Sequence, residues 1–273
     1  MRTSLYYPIF FLVACGSSRP AADIPHPPSP PILMDPVAEL SLHGTDAILW
    51  QYASAEAHRL FQQGYELARI RLEENLLERD GRPAAVIVDV DETVLDNSPY
   101  EMHLLNTSQV YTPATWKDWT ARAEAKALPG SVEFLMHAAE LGCEVFYITN
   151  RQLDEGPATL RNLEAQGFPF ADEEHLMLMN EISDKTARRA RVMETHQVVL
   201  VVGDQLRDMA EVFKDRSDEH GKVLVDNWAD SLSQYFILLP NPIYGTYREV
   251  IHGRGEASDK LKNVKEFVKE HSY

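Results

Sequence analysis

The run Ala84-Ala85-Val86-Ile87-Val88-Asp89-Val90-Asp91-Glu92-Thr93-Val94-Leu95-Asp96-Asn97-Ser98-Pro99 decides the fold. Gly81-Arg82-Pro83 breaks the chain before it. Residues 84–88 are then uninterruptedly apolar and rich in β-branched side chains, the composition of a parallel strand buried on both faces. Asp89 and Asp91 follow at its carboxyl end. Side chains two apart on an extended chain share a direction, so both acids are expected to face one crevice beyond the strand tips, where open α/β sheets bind ligands. Thr93 continues the same parity.

Outward from this strand, strand and helix patterns alternate. The spacing predicts a helix from Ser131 to Leu141-Gly142, a strand over 143–148, and a helix opened by Pro157 and closed by Gly167. A short strand over 175–179, a helix capped by Asp184 and running to Thr195, and a strand over 198–202 follow. A helix from about Gln205 to Lys214 and a last strand over 235–239 complete the alternation. Such alternation implies a parallel sheet with helices on both faces. Residues 98–128 interrupt it with an aromatic and polar stretch that contains Tyr100, Tyr111, Trp116 and Trp119. Upstream, residues 45–79 read as helical, with Thr45 or Asp46 as the cap and Gly64 as the expected break. Downstream, an amphipathic helix from Ser258 carries Leu261, Val264, Phe267 and Val268.

The 273 residues suffice for one sizeable core with a small appended domain. A formal net charge of -16 argues against nucleic-acid polymers, which are held by Lys and Arg clusters. Any anionic substrate then needs local positive charge at its site. The two cysteines are too few for a disulfide framework, and Cys143 opens a predicted strand as a small buried hydrophobe. Residues 1–14 combine Arg2 with an apolar stretch too short to span a bilayer, as in a secretory signal peptide. The stretch ends in Leu12-Val13-Ala14-Cys15-Gly16-Ser17, similar to a bacterial lipobox with Cys15 as the lipidated residue; a plain signal with a chance cysteine is the alternative. Residues 15–36 then form a Pro-rich tether.

Four stations at predicted strand ends carry polar groups suited to chemistry. The first is Asp89 and Asp91. The second is Thr149-Asn150-Arg151, where a hydroxyl and exposed amides could hold a phosphate oxygen or equally cap a helix. The third is Lys185, in a helix first turn where the macrodipole disfavours a cation unless an anion sits there too; a solvated surface lysine is the alternative. The fourth is Asp204 and Asp208, four apart, which would share a helical face and could hold a hard cation through oxygen.

Taken in order, these stations resemble the haloacid dehalogenase (HAD) superfamily. Leu-Asp-Asn-Ser-Pro-Tyr at 95–100, Ser-Asp-Lys-Thr-Ala-Arg-Arg at 183–189 and Leu-Pro-Asn-Pro-Ile-Tyr-Gly at 239–245 resemble one branch of it. That branch is the class C acid phosphatases, bacterial lipoproteins that include the outer-membrane acid phosphatase and 5′-nucleotidase group. The resemblance covers about residues 45–250. It departs at Thr246-Tyr247-Arg248-Glu249, where the family often has Ser-Trp-Glu. It implies an α/β fold with a HAD-like Rossmannoid three-layer core of parallel sheet over 81–250. A smaller helical cap is inserted at about 98–128, a helical segment at 37–80 contributes to that cap, and an amphipathic helix occupies 251–273.

The resemblance also implies roles. Asp89 attacks phosphorus, and Asp91 protonates the leaving alkoxide and then activates water. Thr149, Asn150 and Lys185 bind phosphoryl oxygens. Asp89, the Asp91 carbonyl and Asp204 hold Mg²⁺, with Asp208 supporting its shell. Mg²⁺ and Lys185 would supply the positive charge that the acidic chain otherwise lacks. The second aspartate favours phosphate-ester hydrolysis over dehalogenation, which has no alkoxide to protonate. Tyr100, Trp116 and Tyr244 are candidates for stacking a nucleobase or aromatic leaving group, with buried packing as the commoner fate of such residues.

The expectation is therefore an exported, lipid-anchored phosphomonoesterase that acts on small phosphomonoesters, including nucleoside 5′-monophosphates. Its only other partner would be a membrane, reached through Cys15. Gly16 after the cysteine, rather than Asp, points to the outer membrane. A phosphotransferase, a sugar- or lipid-phosphate phosphatase, and a non-catalytic surface binding lipoprotein stay open.

Overall fold

The computed structural model describes residues Met34–Tyr273. The expected signal peptide, Cys15 and the tether as far as residue 33 lie outside the described residues. The strands are β1 (Ala84–Val88), β2 (Leu95–Asp96), β3 (Lys126–Ala127), β4 (Cys143–Gln152), β5 (Leu176–Met179), β6 (Gln197–Gly203) and β7 (Phe236–Leu238). Five of them form one sheet in the order β5-β4-β1-β6-β7, with every neighbouring pair parallel. β1 is the centre, and the strands added after it go first to one side and then to the other. Ligands of open α/β sheets bind at that switch, outside the carboxyl ends of the strands.

β1 is buried along its whole length and feeds two layers. Ala84, Val86 and Val88 pack with Phe61, Tyr65, Ala68 and Leu72 of the helix Ala55–Asn75 and with Phe134, Leu135 and Ala138 of the helix Ser131–Glu140. Ala85 and Ile87 pack on the opposite face with Val192 and Leu232, from the helices Thr186–Met193 and Ala229–Tyr235. Residues 61, 65, 68 and 72 repeat at helical spacing. Burying a Leu or Phe side chain contributes about 1.5–3 kcal/mol, whereas an exposed ion pair contributes about 0–1 kcal/mol. This stripe therefore holds the helix to the sheet far more than the exposed pairs Arg59–Glu66 and Arg69–Glu73 do.

Residues 98–128 lie between β2 and the helix Ser131–Glu140. This stretch holds the helices Ser98–Asn106 and Pro113–Thr120, and the antiparallel pair of β2 and β3 closes it at the root. The helices Pro36–Leu42 and Thr45–Ala53 pack against Ser98–Asn106.

Three boundaries differ from the sequence expectation. The N-terminal helical stretch breaks at Ser54, which turns extended and caps the next helix with its hydroxyl on Ala57 N (2.9 Å), and Gly64 stays helical. β4 continues past 148 to Gln152, carrying Thr149, Asn150 and Arg151 inside the strand. The stretch 205–214 splits at Ala210 (φ −155°, ψ 140°) into the short helix Leu206–Met209 and a 3₁₀ turn, Glu211–Lys214.

Candidate active site

The loop after β1, the end of β4 and the loops after β5 and β6 meet the insertion and residues 244–253 around a cavity of about 590 Å³. Asp89, Asp91, Asn150, Arg151, Lys185, Asp204 and Asp208 all line it. Asp89 is the first residue past β1, and its amide still donates to Val202 O (3.0 Å), so β6 fixes the strand tip up to the carboxylate. The chain then turns: Glu92 adopts φ +54°, and the amides of Val94 and Leu95 both return to Val90 O. The turn ends the strand parity, so Thr93 does not continue the Asp89 and Asp91 face. Its hydroxyl instead reaches Asp204 Oδ1 at 3.4 Å.

Lys185 is buried, with Nζ 2.6 Å from Asp89 Oδ1 and 2.7 Å from Asp208 Oδ1. Asp184 accepts from Thr186 N at 2.7 Å and so starts the helix immediately after the lysine. Burial works against the charge of Lys185, but Asp208 and Asp89 outweigh it and hold its pKa above the usual value. Asp204 accepts from Asn241 Nδ2 (2.7 Å) and Gln205 Nε2 (2.9 Å) at the tip of β6. It precedes the helix Leu206–Met209, so Asp204 and Asp208 do not share a helical face as expected. They converge because Asp208 folds back to accept from Gln205 N at 3.0 Å. A Cβ on Gly203 would lie 2.4 Å from Asp208 Oδ2, so that approach requires glycine.

One carboxylate oxygen from each of Asp89, Asp204 and Asp208 lies within 4.8 Å of the others. Asp89 Oδ1 is buried, and its close cationic neighbour is the Lys185 ammonium at 2.6 Å. Three converging carboxylates, an all-oxygen donor set, fit a hard divalent cation such as Mg²⁺. The Asp91 side chain stands outside this trio, so any part it takes in holding an ion falls to its carbonyl. Burial pushes Asp89 well above the ordinary carboxylate range, with Lys185 opposing and Asp208, Asp204 and Asp91 reinforcing the shift. Burial and Asp208 likewise push Asp204 up to about 6. Burial first and the neighbouring acids second penalise the charged forms of both carboxylates, a cost that a bound divalent cation would offset.

Asp91 has its own partner. Its Oδ1 accepts from Arg151 Nη2 (2.8 Å) and Nε (3.1 Å) and from Asn97 Nδ2 (2.9 Å). Arg151 is 1% exposed, donates to Thr159 Oγ1 (3.1 Å) and lies under the Trp116 ring, 5.8 Å from its centroid. Nothing local to Arg151 in the sequence names its partner, although an arginine near the end of an apolar strand is tolerated inside only when paired.

The other expected residues divide. Thr149 is fully buried, and its hydroxyl donates to Asp91 Oδ2 (3.4 Å) and accepts from Arg151 N (3.1 Å), so it serves the acid rather than the cavity. Asn150 lines the cavity and accepts from Arg188 Nη2 at 2.8 Å. Tyr100 does not line it: the helix Ser98–Asn106 turns its ring inward, edge-on to Trp116, with its hydroxyl 3.0 Å from Thr115 Oγ1. The candidate stacking role of Tyr100 therefore gives way to packing. Trp116 and Tyr244 do line the cavity. The Tyr244 hydroxyl donates to Glu92, a fully buried carboxyl that burial, Asp91 and Asp204 push well above its usual range. Glu101 and Arg248 stand in the wall as well, with burial pushing Glu101 up to about 7 and Arg248 opposing the shift.

A family model described as HAD superfamily, subfamily IIIB (Acid phosphatase) matches residues 37–247. Among curated proteins, Acid phosphatase 1 of Solanum lycopersicum is 29% identical over 174 residues, 60% of each chain. A Stem 31 kDa glycoprotein of Glycine max is 28% identical over 165 residues, 58% of each chain. The chain thus spans about 60% of the length of these curated relatives. Among solved structures, the class C acid phosphatase from Bacillus anthracis superposes with a TM-score of 0.79 at 33% identity, covering 84% of this chain and 97% of that one. The same Bacillus anthracis protein with tungstate bound gives 0.78 at 33% identity over the same shares.

Proposed function

This chain belongs to the acid phosphatases of HAD subfamily IIIB, and from that premise we propose that it hydrolyses small phosphomonoesters by transferring the phosphoryl group to Asp89. The observation that carries the reading is the Lys185 ammonium, 2.6 Å from Asp89 and 2.7 Å from Asp208 within a cluster of carboxylate oxygens. A cation so placed neutralises the approach of a phosphate that three carboxylates would otherwise repel. Tungstate, a tetrahedral oxyanion like phosphate, is bound in the Bacillus anthracis relative, which supports an oxyanion site here.

Asp89 attacks phosphorus as the bond to the leaving oxygen breaks, and Asp91 gives that oxygen its proton. Asp91 then takes a proton from water as the water attacks the aspartyl phosphate, which releases inorganic phosphate and restores Asp89. Lys185 and Asn150 hold the phosphoryl oxygens. When bound among Asp89, Asp204, Asp208 and the Asp91 carbonyl, Mg²⁺ supplies the remaining positive charge that a phosphate dianion needs. Trp116, Tyr111 and Tyr244 in the wall support nucleoside 5′-monophosphates among the substrates.

The test is a panel of phosphomonoesters assayed with and without Mg²⁺. Turnover should be lost in EDTA and restored by Mg²⁺, and Asp89→Asn should lower kcat by roughly a thousandfold or more. Turnover that survives EDTA contradicts the cofactor, and an unimpaired Asp89→Asn contradicts the nucleophile. Added alcohol acceptors that divert product into new esters would make the protein a phosphotransferase instead. The same reading takes Cys15 as acylated and the protein as exported to an outer membrane. Cys15→Ser should then move it to the soluble fraction, and continued membrane retention counts against lipidation.

A further inference from the structure

Asp91 has two carboxylate oxygens, and the structure treats them differently. Oδ1 receives Arg151 Nη2 at 2.8 Å, Asn97 Nδ2 at 2.9 Å and Arg151 Nε at 3.1 Å. A carboxylate oxygen has two in-plane lone pairs, so Oδ1 is already filled by donors and has no room for a proton. Oδ2 receives only the distant side of Arg151 Nε (3.3 Å) and the Thr149 hydroxyl (3.4 Å). The fork that makes this distinction is itself locked. Its Nη1 donates to Thr159 Oγ1 at 3.1 Å, Thr159 donates to Glu155 O at 2.9 Å, and Trp116 of the insertion covers the guanidinium.

We propose that Arg151 is the positioning residue of the acid–base step, fixing Asp91 so that Oδ2 alone carries the proton to the leaving oxygen. The inference rests on the phosphatase reading and deepens it. As the bond from Asp89 to phosphorus forms and the ester bond breaks, the proton on Oδ2 passes to the departing oxygen. Asp91 is left as a carboxylate whose new charge the guanidinium already faces. A lysine at 151 would keep the charge and lose the fork, so the carboxylate could rotate.

This role has a signature that a merely structural one lacks. An alkyl phosphate releases a basic alkoxide and needs the proton, whereas p-nitrophenyl phosphate releases a stable anion and hardly needs it. Both kcat/KM values report the chemistry as far as the first phosphoryl transfer. General acid catalysis is worth about a hundredfold or more, so Arg151→Lys should lower kcat/KM for an alkyl phosphate at least about tenfold more than for p-nitrophenyl phosphate. Asp91→Asn should show the same selective loss. Adding Arg151→Lys to Asp91→Asn should then produce no further selectivity, because the two residues act through one group.

Thr159→Val, which removes the support of the fork while keeping the shape, should show the same bias at about two- to fivefold, and it serves if Arg151→Lys fails to fold. Equal losses on both esters in whichever of these variants folds overturn the proposal. If the wild-type protein turns over neither ester with Mg²⁺ present, the phosphatase reading itself falls, which is a separate outcome.

Discussion

Asp89, Asp204 and Asp208 bring three acids together around one lysine. At about 4 Å and an effective dielectric near 20, each like-charged pair costs roughly 4 kcal/mol, so Lys185 is indispensable to the arrangement. Lys185→Met should reduce kcat/KM for p-nitrophenyl phosphate by about a hundredfold or more, while calorimetry still detects Mg²⁺ binding. Near-normal turnover would remove Lys185 from the phosphate site. Glu101 offers a pH test. Burial lifts it from 4.5 to about 7, so the folded state holds a proton that the unfolded chain releases first. Its burial therefore costs nothing below pH 4.5, the cost grows between 4.5 and 7, and it is complete above 7. Glu101→Gln should be the more stable protein at pH 8, by up to about 3 kcal/mol, with the gap closing by pH 4. A gap independent of pH in denaturant titrations would contradict the buried carboxyl. At this scale Lys185 was legible, because a cation in a helix first turn is a local conflict that asks for an anion. Arg151 was not, because its meaning depends on an acid 60 residues earlier in the chain.

Helices and strands were legible where local signals agree and shifted where packing overrides them. Gly167, with φ +84°, closes its helix as the sequence suggests. Gly64 looked like a break and is instead a packing device: a Cβ there would lie 2.4 Å from Cδ2 of Leu239, which is 1% exposed. The backbone of the helix Ala55–Asn75 needs that absence to approach the sheet. Gly64→Ala should lower the denaturation midpoint, since overpacking costs about 1–3 kcal/mol and exceeds the roughly 1 kcal/mol gained in helix propensity. A raised midpoint would show that Leu239 moves aside freely. The stretch 205–214 reads as one helix because its apolar spacing is helical, whereas the pairing of Asp208 with Lys185 and Gln205 accompanies a regular helix confined to Leu206–Met209.

The whole molecule bears out the parallel-sheet core and the acid phosphatase family expected from the order of the motifs. Order along the chain was legible because consecutive strand tips in such a sheet must lie at one edge. What lies across the cavity was not, since nothing local says that Glu101 and Arg248 share a wall with Asp89. The charge of -16 is met at the site by Lys185, Arg151 and Arg207, which line the same cavity as the acids. The proposed mechanism makes the carboxylate of Asp89 the group that receives phosphorus. The direct measurement is to quench the protein with borohydride during turnover of a phosphomonoester, then sequence its peptides by mass spectrometry. An acyl phosphate is reduced to the alcohol and a free carboxylate is not, so the account predicts reduction at position 89 only when substrate and Mg²⁺ are both present. Reduction at another residue, or none during sustained turnover, would contradict it.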